Sequence, residues 1–93
     1  MSLGSTVAAS RGHIASGGLG EKIILRVESG VCFRLDLVGA RVWDLMEAPV
    51  KVGEILESLL KEYDVPAAEC EKDLLRLLEE LKGEGLIDVS SAD

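Results

Sequence analysis

The hydrophobic period of this chain changes once, at Asp36, and the change divides it. KIILRVE (Lys22–Glu28) and VCFRLD (Val31–Asp36) are rich in β-branched and aromatic residues and flank the dipeptide Ser29-Gly30. Two such runs about a short glycine-bearing turn predict an antiparallel hairpin. In the second run Val31, Phe33 and Leu35 alternate with Cys32 and Arg34, so one face goes to a core and the other looks outward. After Asp36 the apolar spacing becomes helical. Asp36 can cap a helix whose Val38, Val42, Leu45 and Met46 fall on one stripe, and Pro49 ends it. A second helix carries Val52, Ile55, Leu56, Leu59, Leu60 and Tyr63. Val65-Pro66 breaks the chain, Pro66 suits the first turn of a third helix, and Gly83 and Gly85 stop that helix near Lys82. Leu86, Ile87 and Val89 form a short apolar tail that packs back on the domain.

The first 20 residues are rich in Gly, Ser and Ala and read as a flexible lead-in, with room for one short strand at His13–Ser16. The expected organisation is therefore a lead-in at 1–20, a single domain at 21–89 and a tail at 90–93. The order of elements predicts an α+β fold: a small antiparallel sheet of two or three strands followed by three helices. Three helices after a hairpin also look like a helix-turn-helix unit with its wing placed first.

Size and charge narrow the function. A chain of 93 residues is one small domain, and 47% hydrophobic residues favour a packed core over disorder. Trp43, Tyr63 and Phe33 are its aromatics, so the core must be aliphatic. No apolar run approaches the roughly 18 residues of a membrane span, and no secretory signal opens the chain; a soluble, cytoplasmic protein is expected, with no membrane partner. Residues 1–35 hold four bases against two acids, and residues 36–93 six against fifteen. A partner of the later part is thus neutral or basic. Cys32 and Cys70 lack the spacing of zinc or redox sites and read as small hydrophobes in a reducing compartment.

Candidate chemistry is sparse. His13, the single histidine, lies in the lead-in and reads as a solvent-exposed bystander. A general base needs an orienting partner, and none is anchored beside it. Neither dinucleotide nor phosphate-loop glycine motifs occur, and the carboxylates follow ordinary helical spacing, as in Glu57–Lys61. The expectation is a non-enzyme with no catalytic residues, no metal site and no cofactor. Nucleic acid is also disfavoured. The third helix, which would read the groove, carries Glu69, Glu71, Asp73, Glu79 and Glu80 against Lys72, Arg76 and Lys82.

That helix has an asymmetric apolar surface. With Leu74 at zero and about 100° per residue, Cys70, Leu77, Leu78 and Leu81 lie within roughly 60° and form a core stripe. Leu75 and Ala68 extend it on one flank, whereas the other flank, at Glu69, Asp73 and Glu80, is charged. The apolar flank either packs on the first helix near Trp43 or lines a groove. A small sheet must leave an edge open, and Val31–Asp36 has few edge-protecting features. An open strand beside an apolar helix flank is what an extended peptide needs in order to bind.

The order of motifs then resembles a known family. ESG (Glu28–Gly30), a strand ending in LD (Leu35–Asp36), VGARVWDLM (Val38–Met46), VGEIL (Val52–Leu56), EYDV (Glu62–Val65), Asp73 with Leu74, Leu75 and Leu78, and a closing GLI (Gly85–Ile87) look like the PqqD-like family over about Ile23–Val89. Lys51 departs from the Thr or Ser that often caps the second helix in relatives. The resemblance implies a three-stranded sheet and three helices in a winged helix-turn-helix variant. It implies a cytoplasmic recognition element that binds the leader of a ribosomally made precursor peptide, as an added strand between the third strand and third helix. The leader is then presented to a modifying enzyme, such as a radical SAM protein in pyrroloquinoline quinone biosynthesis or a leader protease. Carried onto this sequence, the peptide-binding residues are Val31, Cys32, Phe33 and Arg34 on the strand, with Ala68, Glu71, Leu75 and Leu78 on the helix. The competing readings are a winged-helix nucleic-acid binder and a module that only dimerises; either a monomer or a homodimer is open.

Overall fold

The computed structural model describes residues 1–10, 12–17 and 21–90. The glycine-rich 18–20 of the expected lead-in and 91–93 of the expected tail lie outside the described residues. The order is β1 (Thr6–Ala9), β2 (His13–Ser16), β3 (Lys22–Arg26), β4 (Cys32–Leu35), α1 (Leu37–Leu45), β5 (Val50–Lys51), α2 (Val52–Glu62), α3 (Ala67–Gly83) and β6 (Ile87–Ser90). The strands form two small antiparallel sheets, β2-β3-β4 and β5-β1-β6. The fold is α+β.

The hairpin forms where the alternating pattern puts it, but its turn is longer than Ser29-Gly30. Arg26 N–H donates to Val31 O at 2.9 Å and Gly30 N–H to Arg26 O at 2.9 Å, so Val27–Gly30 make a four-residue connection. Gly30 sits at φ +71°, which a residue with a Cβ adopts only at a cost. The inner face carries Ile24, fully buried, and Leu35, while Cys32 and Arg34 are exposed. His13–Ser16 forms the third strand and pairs with β3 on the side away from β4.

The helices bury one stripe each. Asp36 caps α1, its carboxylate accepting from Gly39 N–H at 2.8 Å. Val42, Trp43 and Met46 enter the core, but Val38 remains 40% exposed. Helix α2 buries Val52, Ile55, Leu56 and Leu59, and α3 buries Leu74, Leu78 and Leu81.

The amino-terminal stretch is where structure departs most from the sequence reading. Thr6–Ala9 is a strand, and its Val7 is completely buried. It pairs with β5 on one side and on the other with the apolar tail, which is itself strand β6 (Val7 opposite Val50 and Val89). The same stretch solves the capping problem raised by Lys51, which makes no side-chain cap. The first N–H groups of a helix need acceptors from outside it. Val52 N–H donates to Ser5 O at 3.0 Å and Gly53 N–H to Leu3 O at 2.9 Å. Backbone carbonyls stand where a hydroxyl cap would.

Arg26 ties the hairpin to the end of α3. Its Nη1 donates to Glu84 O at 2.7 Å, while Gly85, at φ +72°, leaves the guanidinium room. A Cβ at Gly85 would lie 1.8 Å from that Nη1. His13 is not a bystander in solvent. It is half-buried on the inner face, edge-on to Trp43 with ring centroids 5.0 Å apart, and its Nδ1 is buried without a hydrogen-bond partner among the described residues. Strand pairing turns it inward, because it shares a face with Arg26 and Ala15.

Candidate functional site: an open strand edge beside a cleft

Two hydrogen bonds fix which way the hairpin's backbone points. Val27 N–H donates to Gly12 O at 3.0 Å, which sends the odd residues of β3 toward β2. Arg26 N–H to Val31 O then sends the even residues toward β4. By antiparallel alternation Phe33 and Leu35 bond inward to Ile24 and Lys22, and Cys32 and Arg34 turn both N–H and C=O outward. No strand pairs with that outer edge among the described residues.

Beside this edge lies a cleft of about 600 Å³, bounded by β4 and α3. Its floor is made by the buried side chains of Leu35, Val42, Leu59 and Leu74. Phe33 and Arg34 form the strand wall, and Cys70 and Leu77, both half-buried, form the helix wall. Val38 of α1, with Tyr63, Val65 and Pro66 where α2 passes into α3, completes it. Burial pushes the Cys70 thiol up, helped by the nearby Asp73 carboxylate, so Cys70 stays a neutral, apolar liner at neutral pH. Above this wall runs a charged rim on one helical stripe: Glu69, Asp73, Arg76 and Glu80. Arg76 pairs with Asp73 at 3.0 Å. Across the cleft, Arg34 pairs with Glu21 at 3.2 Å.

The strand and helix residues proposed from sequence fare differently in this geometry. Phe33 and Arg34 line the cleft; Val31 and Cys32, just before them in the chain, do not line it, though Cys32 has outward backbone. Of the four helix positions, none lines it. Leu78 is fully buried in the core, Leu75 and Glu71 are half-buried, and Ala68 is exposed away from the lining. On the expected apolar flank Ala68 is exposed and Leu75 is half-buried against the core. Leu75 packs against it one turn from Glu79, where Met1 also packs, its nitrogen 3.7 Å from the Glu79 carboxylate. The flank facing the cleft is the other one, with Cys70, Leu77 and the charged stripe. Its signal is in the sequence, as Cys70, Leu74 and Leu77 bordered by 69, 73, 76 and 80. Both flanks adjoin the core stripe, so the wheel alone does not choose between them.

An α+β domain whose edge strand and last helix frame an apolar-floored slot is the class that this fold defines. Residues 21–87 match the family described as Coenzyme PQQ synthesis protein D (PqqD), and the chain belongs to it. It is also similar to a solved structure, "TbiB1 in Complex with the TbiA(beta) Leader Peptide", at 30% sequence identity and a TM-score of 0.81, over 92% of this chain and 99% of that one. No curated protein sequence matches. Among the described residues no helix is long and apolar enough to cross a membrane, and no group of three or more His, Cys, Asp or Glu side chains is placed to hold a metal ion.

Proposed function

We propose that this protein captures the leader segment of a ribosomally made precursor peptide as a strand added to β4, and presents it to a modifying enzyme. The observation that carries the reading is the outer edge of Cys32–Leu35, unpaired among the described residues and beside a cleft whose floor is aliphatic. Family membership supports it, as does similarity to a protein solved with a leader peptide bound. The enzyme served is a radical SAM protein or a leader protease, and the chain itself acts without bond chemistry.

The energetics divide between edge and cleft. Cys32 and Arg34 together offer four outward groups, two N–H and two C=O. At a net ~1 kcal/mol per hydrogen bond, these supply about half of the roughly −8 kcal/mol of a micromolar complex. One or two large side chains buried over Leu74 and Leu77, at roughly 1.5–3 kcal/mol each, supply the remainder. Backbone pairing gives general affinity and the cleft selects the sequence.

The test uses leader segments encoded by short open reading frames beside this gene, titrated into the full chain. Micromolar binding to one of them is expected. Cys32→Pro should weaken it about fivefold, the loss of one outward hydrogen bond of ~1 kcal/mol, while leaving the fold intact, since the lost N–H faces outward and proline is tolerated on a free edge. Leaders that fail to bind, or that bind Cys32→Pro equally well, would remove strand addition as the mode. Light scattering on the free chain shows whether a second copy takes the edge instead.

A further inference from the structure

Resting on that reading, we infer that the segment this cleft selects alternates basic–x–apolar–x–apolar–x–basic. The derivation begins with direction. Arg26 faces Val31 across the hairpin and holds Glu84 at the end of α3, so the start of β4 lies toward the end of α3 and the two run antiparallel along the cleft. Glu80 therefore stands at one end of the slot and Glu69 at the other. Both are exposed, and neither makes an ion pair among the described residues, whereas the intervening Asp73 and Arg76 neutralise one another.

Spacing then sets the pattern. Eleven residues of helix separate the two glutamates by about 16 Å. On an added strand, the residues opposite Phe33 and Leu35 share their face and point into the cleft, over Cys70 and Leu77. They are two apart and meet an apolar surface. The next residues on that face, two further out at each end, are six apart, or about 20 Å at 3.3 Å per residue. They overshoot the glutamates by about 2 Å at each end, within reach of a lysine or arginine. The pattern is symmetric, so it holds for either strand direction. The net charge of −7 adds long-range attraction for such a segment.

The probe is a synthetic nonapeptide, Ser-Lys-Ser-Leu-Thr-Val-Ser-Lys-Ser, with versions in which both lysines become glutamine or glutamate. Each is titrated into the isotope-labelled full chain and followed by amide chemical shifts. The lysine peptide should bind roughly three- to tenfold tighter than the glutamate one, with glutamine between, because each exposed pair contributes modestly. High salt should narrow the gap, and Glu69→Lys with Glu80→Lys should reverse the order. Equal affinities for the three peptides would overturn the inference, as would no binding of the lysine peptide. Because leader capture is tested separately with native leaders, a native leader that binds without flanking bases overturns only the charge pattern.

Discussion

The two small sheets are built alike and used differently. Each has three antiparallel strands and packs on the same core. In β5-β1-β6 the central strand comes from the amino-terminal stretch, and its fully buried Val7 faces partners more than forty residues away on one side and eighty on the other. One edge there is a strand of two residues that runs straight into α2. That sheet gathers distant segments and caps a helix. In β2-β3-β4 all strands are local, and the edge of β4 faces a cleft rather than another part of the described chain. The fastening sheet gathers distant segments around a central strand whose Val7 is buried; one that receives a partner needs an open edge beside a cleft and must hold it rigid. The helices and the first sheet supply that rigidity.

Substitutions can break this comparison. The largest effect is expected from Val7→Asp in the fastening sheet. An unpaired carboxylate in a fully buried position costs more than about 3 kcal/mol, a large part of a small domain's stability. Thermal unfolding should show no cooperative transition. A folded Val7→Asp protein would mean that the first strand is dispensable. The second effect contrasts the two flanks of α3. Leu77→Asp should lower leader affinity at least about tenfold with helix content retained, whereas Leu75→Asp should lower the melting temperature and leave the affinity of the folded protein nearly unchanged. Circular dichroism and calorimetry on both variants decide it; the reverse outcome would return the site to the Leu75 flank.

The smallest effect concerns neither sheet and sharpens the comparison as a control. Arg41 makes a bidentate ion pair with Glu62 at 2.9 Å, linking α1 to the end of α2. The hydrogen bond from Arg41 holds the Glu62 carboxyl below the usual range. A depressed carboxylate contributes stability above its unfolded pKa, and that contribution is lost as pH falls through the folded value. Glu62 is exposed and Arg41 only half-buried, so the effect is slight. Glu62→Gln should remove a small part of the acid sensitivity of the melting temperature and leave neutral-pH peptide binding unaltered.

What could be read from the sequence follows the range of the interactions. The hairpin, the Asp36 cap and all three helices rest on contacts within a few residues, and their patterns place them. Thr6–Ala9 has weak strand propensity and one core residue, and becomes a strand only because Ile87–Ser90 and Val50–Lys51 come to it. Nothing local to TVAA says so. The candidate site divides in the same way. Its strand side, Phe33 and Arg34 with the outward Cys32, follows from alternation, but its helix side does not. Leu75 and Leu77 are both leucines at the border of one stripe, and it takes the packing of α3 among its neighbours to decide which of them meets the cleft.

Residue-resolved amide hydrogen exchange, on the free chain and with a bound leader, asks most directly whether the rim of this hairpin waits for another backbone. In the free protein the Cys32 and Arg34 amides should exchange fast while Phe33 and Leu35 are protected; saturating leader should slow the first pair and change the second little. Slow exchange of Cys32 and Arg34 in the free monomer, or fast exchange of both under saturating leader, would contradict the account.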